Sequence, residues 1–312
     1  MPGDEAAERP RILVIKHGAL GDFVLALGPF AAIRAHHLGA HIVLLTTPPF
    51  AELGRACGCF DEIWLDERAP LWRLDKVLAL RARLRGGNFA RVYDLQTSKR
   101  SSAYFRFFAA PKPEWSGIAP GCSLRHDNPD RVRLHTVPRQ QEQLKLAGID
   151  FVPPPDVSFL QSDVSRFELP EHYALLVSGG SAHRPAKRWP AIAFAELANR
   201  ITSGGVTPVL LGAAAERETL HAVASAAPAA RDLCGQTSFA DLASLARHAR
   251  YAIGNDTGPM HIITAAGCRS LVLFSADSDP KLCAPVGRDV TILRRDPLSA
   301  LTVADVEAAL VG

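Results

Sequence analysis

Arg11-Ile-Leu-Val-Ile-Lys-His-Gly-Ala-Leu-Gly-Asp22 leads into a mostly apolar stretch ending at His37 and then into His41-Ile-Val-Leu-Leu-Thr46. Two β-branched runs of strand length flank a segment of helical length, and a Gly-containing turn, His17 to Gly21, follows the first run. Two strands this close in sequence, joined by a helix, must lie parallel with a right-handed crossover. The helix is expected over Asp22 to His37. Further strands are expected at Glu62 to Leu65 and Arg91 to Leu95, with a helical stretch around Leu71 to Arg85 between them. The first half therefore reads as an open α/β sheet.

From Phe151 to Glu171 the alternation stops. Phe-Val-Pro-Pro-Pro-Asp and a polar stretch ending at Leu169-Pro170 read as an interdomain linker, which puts one domain at 1–155 and a second at 156–312. The alternation then restarts. Strands are expected at Tyr173 to Val177, Val206 to Leu211, Tyr251 to Ile253 and Ser270 to Phe274. Helices are expected at Trp189 to Thr202, Glu216 to Ala226, Phe239 to His248, Pro259 to Ala266 and Val303 to Leu310. Two doubly wound parallel-sheet domains result, and because ligands bind beyond the carboxyl ends of such strands, a cleft between them is the expected site.

A chain of 312 residues with 47% hydrophobic and 21% charged residues is an ordinary globular protein of two-domain size. Its net charge of +3 is too small to argue for nucleic acid. The charge is uneven, however: between Arg81 and Lys145 there are 13 basic and 5 acidic side chains. Such a balance suits an acidic partner, although a solvated Arg-rich face would look the same. The six cysteines show no metal-binding spacing, and most of them read as buried thiols of a reducing compartment. The N-terminus lacks an apolar core of signal-peptide type and no apolar run is long enough to span a bilayer, so a cytoplasmic chain is expected.

Four segments fall at strand ends. In Gly18-Ala-Leu-Gly21-Asp22, the glycines tighten the turn and Asp22 stands at the start of a helix, either as a cap or as a general base; the two roles are compatible. The spacing is not that of a dehydrogenase fingerprint, and no Walker P-loop occurs anywhere. Ser178-Gly-Gly-Ser181 followed by Lys187-Arg188-Trp-Pro190 offers backbone N–H groups and fixed positive charge for a diphosphate, or else is a charged surface loop. Glu216, after Gly212-Ala-Ala-Ala, suits ribose hydroxyls or a first-turn helix carboxylate. Gly254-Asn-Asp256-Thr257-Gly258-Pro-Met-His261 ends a strand and opens a helix, a ready anion site; an Asx turn and a packed histidine are the plainer alternatives.

Together these segments resemble glycosyltransferase family 9, the bacterial ADP-heptose:lipopolysaccharide heptosyltransferases. Ile12 to Asp22 is similar to the family's opening motif, Lys187-Arg-Trp-Pro190 to its donor loop, and Gly254 to His261, continued by Ala265-Ala-Gly267, to its last signature. Gly235-Gln-Thr-Ser238 with Asp241-Leu242, Asp94-Leu-Gln96 with Arg100-Ser101, and Leu134-His135 with Leu146-Ala-Gly148-Ile149 match lesser features. The resemblance implies a GT-B fold, with acceptor on the first domain and nucleotide sugar on the second. It implies Asp22 as catalytic base and Ser181, Lys187, Arg188, Glu216, Asp256, Thr257, Gly258 and His261 as donor-binding. Gly18, Gly21 and Arg100 fall on the acceptor side. The implied reaction is an inverting, metal-independent transfer with no cofactor, from ADP-heptose to an acidic lipid-linked saccharide of the lipopolysaccharide core. The basic excess suggests a peripheral contact with the inner membrane. Ser178-Gly179-Gly180 stands where the family usually has Pro-Gly, and His183-Arg184-Pro185 replaces a Ser/Trp-containing stretch, so sugar or base preference is expected to differ. A non-catalytic nucleotide-sugar-binding paralogue and an epimerase-like enzyme on the same architecture are the alternatives.

Overall fold

The computed structural model describes residues 9–70, 72–180 and 183–311. The chain divides into two compact units: one holds the residues up to Ala19 together with Ala26–Pro154, and the other holds Leu20–Leu25 together with Pro155–Gly312.

The first unit is built on strands β1 Arg11–Ile15, β2 His41–Thr46, β3 Glu62–Leu65, β4 Phe89–Asp94, β5 Glu114–Gly117 and β6 Leu124–Arg125. They form one parallel sheet in the order β3-β2-β1-β4-β5-β6. In chain order the first helices are α1 Leu20–Leu25, α2 Leu27–His36, α3 Ala51–Ala56, α4 Leu74–Gly86, α5 Lys99–Ala103 and α6 Thr136–Lys145. The central strands are buried on both faces, as a sheet covered by crossover helices requires, and Leu13, Ile15, Val43, Leu45, Val92 and Trp115 fill the core.

The single helix expected over Asp22 to His37 is two helices. Pro29 has no N–H to give the carbonyl of Leu25 and its ring crowds that carbonyl, so the first helix stops at Leu25 and the ladder restarts with Phe30 N–H donating to Ala26 O at 2.9 Å. The break separates α1, which groups with the second unit, from α2, which stays with the first.

The second unit contains β7 Tyr173–Val177, β8 Thr207–Leu210, β9 Arg231–Asp232, β10 Tyr251–Asn255, β11 Ser270–Phe274 and β12 Val290–Arg294, in the order β12-β11-β10-β7-β8-β9. Around it lie α7 Ala191–Ser203, α8 Arg217–Ala226, α9 Phe239–His248, α10 Gly258–Ala265, α11 Pro280–Cys283 and α12 Val303–Val311. Counted within its own unit, each sheet has the same doubly wound order, 3-2-1-4-5-6, whose direction of winding reverses beside the first strand. In the second unit the reversal falls between β7 and β10.

Of the linker expected over 151–171, residues 155–171 are a strap on the second unit. The Arg247 guanidinium donates to the carbonyls of Leu160 and Val157 at 2.7 Å each, and Ser162 Oγ donates to Asp241 at 2.7 Å. Asp241 also takes Arg166 at 2.7 Å and closes a capping box with Ser238 at the start of α9. Burial would raise its carboxyl, but these donors hold it down at about 2.

Candidate functional site

The reversal point of the second sheet gathers two strand ends. β7 runs into Ser178-Gly179-Gly180 and β10 into Asn255-Asp256-Thr257. Asn255, fully buried, ties them together: its Nδ2 donates to the carbonyls of Ser178 at 2.9 Å and Gly179 at 3.0 Å, and its Oδ1 accepts from the N–H of Trp189 at 2.9 Å. An amide is needed here because only an amide both donates twice and accepts. Trp189 is itself anchored, its indole donating to Leu301 O at 2.9 Å and its ring edge-on to Phe194. The stretch carrying Lys187 and Arg188 is therefore fixed at its C-terminal end by core packing.

Lys187 Nζ lies 2.6 Å from the carboxylate of Asp256, and both side chains are largely buried. Arg188 donates to the carbonyl of Gly180 while its Nε, buried, has no hydrogen-bond partner among the described residues. Ser181 lies outside the described residues. Glu216 accepts the N–H of Ala213 at 2.8 Å, closing the turn before α8. Its carboxylate also fills the place a side chain at Gly179 would take, since a Cβ there would fall 2.1 Å from Oε1. Thr257 is the extended residue before α10 and Pro259 stands in that helix's first turn, where its missing N–H costs nothing. The Thr257 side chain makes no cap hydrogen bond, which leaves first-turn N–H groups suited to an anion.

Asp22 sits in the first turn of α1, and α1 packs on α10. The contact is made by missing side chains on both helices. A Cβ on Gly21 would come within 2.6 Å of His261 Nε2, and one on Gly258 within 2.7 Å of Leu20 Cβ. Each helix thus presents a glycine to the other's side chain, and buried His261 fills the space left by Gly21. The sequence reading put Gly21 with Gly18 in one turn. The structure gives them separate tasks: Gly18 remains in the first unit, with φ +119° and Phe50 where its side chain would be, whereas Gly21 serves the α1–α10 contact.

A segment that the sequence reading did not nominate joins this group. After β11, Ser278 and α11 bring Cys283 close; its thiol is pushed up by burial, opposed by a hydrogen bond from Ser278, and it feels the charges of Asp256, Lys187 and Asp22. Three residues widely separated in sequence therefore act on one sulfur. Only the electrostatics reveal this, because Ser275 to Cys283 carries no motif.

In the first unit, Arg100 donates to the hydroxyl of Tyr104 and the carbonyl of Ala69, at 2.8 Å each. Tyr104 in turn donates to Asp66 at 2.5 Å, and His17 Nε2 lies 3.2 Å from the same carboxylate. Burial would raise Asp66, but His17, Tyr104 and the N–H of Arg68 bring it to about 2. His17, Asp66 and Tyr104 escaped the sequence reading because each looks like an ordinary strand-end or helix residue. Among the described residues no group of three or more His, Cys, Asp or Glu side chains is placed to hold a metal ion, and no helix is long and apolar enough to cross a membrane.

The whole is similar in fold to the solved Escherichia coli ADP-heptose lipopolysaccharide heptosyltransferase II, with TM-score 0.77, 19% identity, and 96% of this chain and 97% of that chain covered. It is similar also to an E. coli heptosyltransferase, WaaC, solved with ADP-2-deoxy-2-fluoro heptose, with TM-score 0.74, 19% identity, and 96% and 99% covered. These likenesses place it among two-domain GT-B folds. In sequence, 120 residues are 30% identical to lipopolysaccharide heptosyltransferase 2 of Salmonella typhimurium. That stretch is 37% of this chain and spans about a third of the relative, 34%. The family model for glycosyltransferase family 9 (heptosyltransferase) matches residues 77–305. With most of its length inside that match, the chain belongs to glycosyltransferase family 9.

Proposed function

We propose that this protein transfers a sugar, heptose, from an ADP-activated donor to an acidic saccharide of the lipopolysaccharide inner core, with inversion and without a metal. The observation that carries this reading is the buried Lys187–Asp256 pair at the reversal point of the second sheet, in the same unit as α1, whose first turn holds Asp22 and which packs on α10. The names of the related proteins supply the heptose, the ADP and the lipopolysaccharide.

In this reading Asp22 accepts the proton of the acceptor hydroxyl as its oxygen attacks the anomeric carbon. The bond from that carbon to the diphosphate breaks, and the electron pair leaves with ADP. Lys187, Arg188 and the first-turn N–H groups of Thr257-Gly258 receive the negative charge that grows on the leaving oxygen, a task a metal performs elsewhere. Lys187 must leave or share Asp256 to do so, and Asp256 then turns to donor hydroxyls. Ser181 and His261 complete the phosphate contacts, and Glu216 meets the ribose with the oxygen not used on Ala213. Residues 156–312 bind the donor and 1–155 the acceptor, with Gly18 and Arg100 on that side. The basic excess between Arg81 and Lys145 faces an anionic acceptor or leaflet.

The test is a thermal-shift panel of ADP, UDP, GDP and dTDP and their sugars, followed by transfer assays with Asp22→Ala. A ligand that binds only the folded state raises its apparent stability by mass action. ADP-heptose is expected to stabilise most, and Asp22→Ala to keep that shift while losing transfer. A shift with UDP-sugars but none with ADP-heptose overturns the donor. Full transfer by Asp22→Ala overturns the base.

A further inference from the structure

A cavity of about 560 Å³ opens in the first unit between the end of β3, α4 and the α5 region, within the size range of ligand pockets, about 300–1,000 Å³. Leu65, Val77, Leu80 and Phe107 give it an apolar wall, and Lys76, Arg83, Lys99 and Arg100 stand around it. Its two acids are already engaged: Asp66 by Tyr104, His17 and the N–H of Arg68, and Glu67 by Lys76 at 3.3 Å. Arg83 lies over the Trp64 ring, 4.2 Å from its centroid, and neither it nor Lys99 meets a carboxylate among the described residues. The lining therefore combines uncovered hydrocarbon with uncompensated positive charge.

We infer that this cavity binds an amphiphile, one alkyl chain bearing an anionic head, with the chain on the Val77–Leu80–Phe107 wall and the head on Lys99 and Arg83. A hydrophilic anion alone would leave the apolar wall in water, and a neutral chain would leave the cations unmatched. Leu65 at the end of β3, one of the large hydrophobic side chains left exposed among the described residues, belongs to this lining. The cavity shares Arg100 with the acceptor side of the transferase reading, but calorimetric titration reads binding alone, so loss of transfer activity and loss of amphiphile binding are distinguishable.

The test is calorimetric titration of the full chain with decyl phosphate below its aggregation concentration, beside decyldimethylamine oxide, uncharged at pH 7.5, and inorganic phosphate. One decyl phosphate per chain is expected, with at least tenfold weaker binding of the amine oxide and none of phosphate alone. Ala103→Trp, at an exposed lining position, should fill the cavity and weaken binding at least tenfold at unchanged melting temperature. Arg83→Glu with Lys99→Glu should erase the preference for the charged head without relying on that folding control. Sedimentation with phosphatidylglycerol vesicles, lost in Ala103→Trp, would make bilayer lipid the source; its absence with intact decyl phosphate binding would make the source a free amphiphile. Several molecules bound per chain, equal affinity for both heads, or full binding by folded Ala103→Trp would overturn the inference.

Discussion

Gly21→Ala is the smallest change that tests how Asp22 is held. The added methyl would lie 2.6 Å from His261 Nε2 and 2.7 Å from Cδ2, where ordinary contact begins at 3.4 Å. His261 is buried, so relief of the overlap requires its ring to shift within the contact or α1 and α10 to separate by a large fraction of an ångström, and separation is the expected course. Asp22 is the next residue and moves with the helix. A misplacement of about 1 Å can cost ~100-fold in rate, so transfer is expected to fall by one to two orders of magnitude while the carboxylate remains. Stability supplies an independent sign. In an unobstructed helix, Gly→Ala gains about 1 kcal/mol, whereas overpacking costs ~1–3 kcal/mol, so the melting temperature should drop. Steady-state transfer kinetics and a thermal melt, read beside Asp22→Asn, decide the matter. An unchanged rate together with a raised melting temperature would show that the helices do not meet as described.

Three further outcomes follow from the same geometry. Asn255→Asp keeps shape but cannot donate to the carbonyls of Ser178 and Gly179; each stranded carbonyl costs ~1–3 kcal/mol, so urea melts should show a loss of a few kcal/mol and titration should show weakened ADP binding. Lys187→Ala removes the cation proposed for the leaving group and strips Asp256 of its partner, and should cost ~100- to 1,000-fold in kcat; a tenfold change or less in single-turnover transfer would dismiss that role. Asp94, wholly buried, has its carboxyl raised by burial from 3.8 to about 6 despite the Thr97 N–H, Ser101, His17 and Lys16. The folded state therefore holds a proton that the unfolded chain releases, stability falls as pH rises between those values, and the full cost above pH 6 is about 3 kcal/mol at ~1.4 kcal/mol per pH unit. Asp94→Asn should stabilise the chain by up to that amount at pH 8 and by nothing below about pH 4, as measured by urea melts across that range.

The strands were legible because buried parallel strands are continuous β-branched runs: β2, β3, β7 and β11 begin and end where the sequence places them. β12, Val-Thr-Ile-Leu-Arg, carries the same signal and is nevertheless missing from the sequence reading, but other elements that stayed hidden lacked it. α6 buries Thr136, Gln140, Gln143 and Leu144, so its inward face is largely polar, and Gln143 reaches the carbonyls of Asp94 at 3.0 Å and Ser116 at 3.3 Å. A search for apolar spacing passes over such a helix. β5 and β6, four and two residues long, carry too few side chains for an alternation to register.

The candidate site divides along the same line. Its residues were visible as motifs because each sits where a strand ends, but their mutual support is tertiary. Nothing near Gly21 announces that it must make room for His261, and nothing near Gly258 announces Leu20. Pro29, by ending α1 at Leu25, is what frees six residues to pack with the second unit. The position of Asp22 relative to Lys187 and Asp256 is consequently set by one close helix contact. Changes at Leu20, Gly21, Gly258 or His261 should therefore act along a single coordinate. Combining two of them should cost less than the sum of each alone, because once the helices have parted, the second intrusion meets open space.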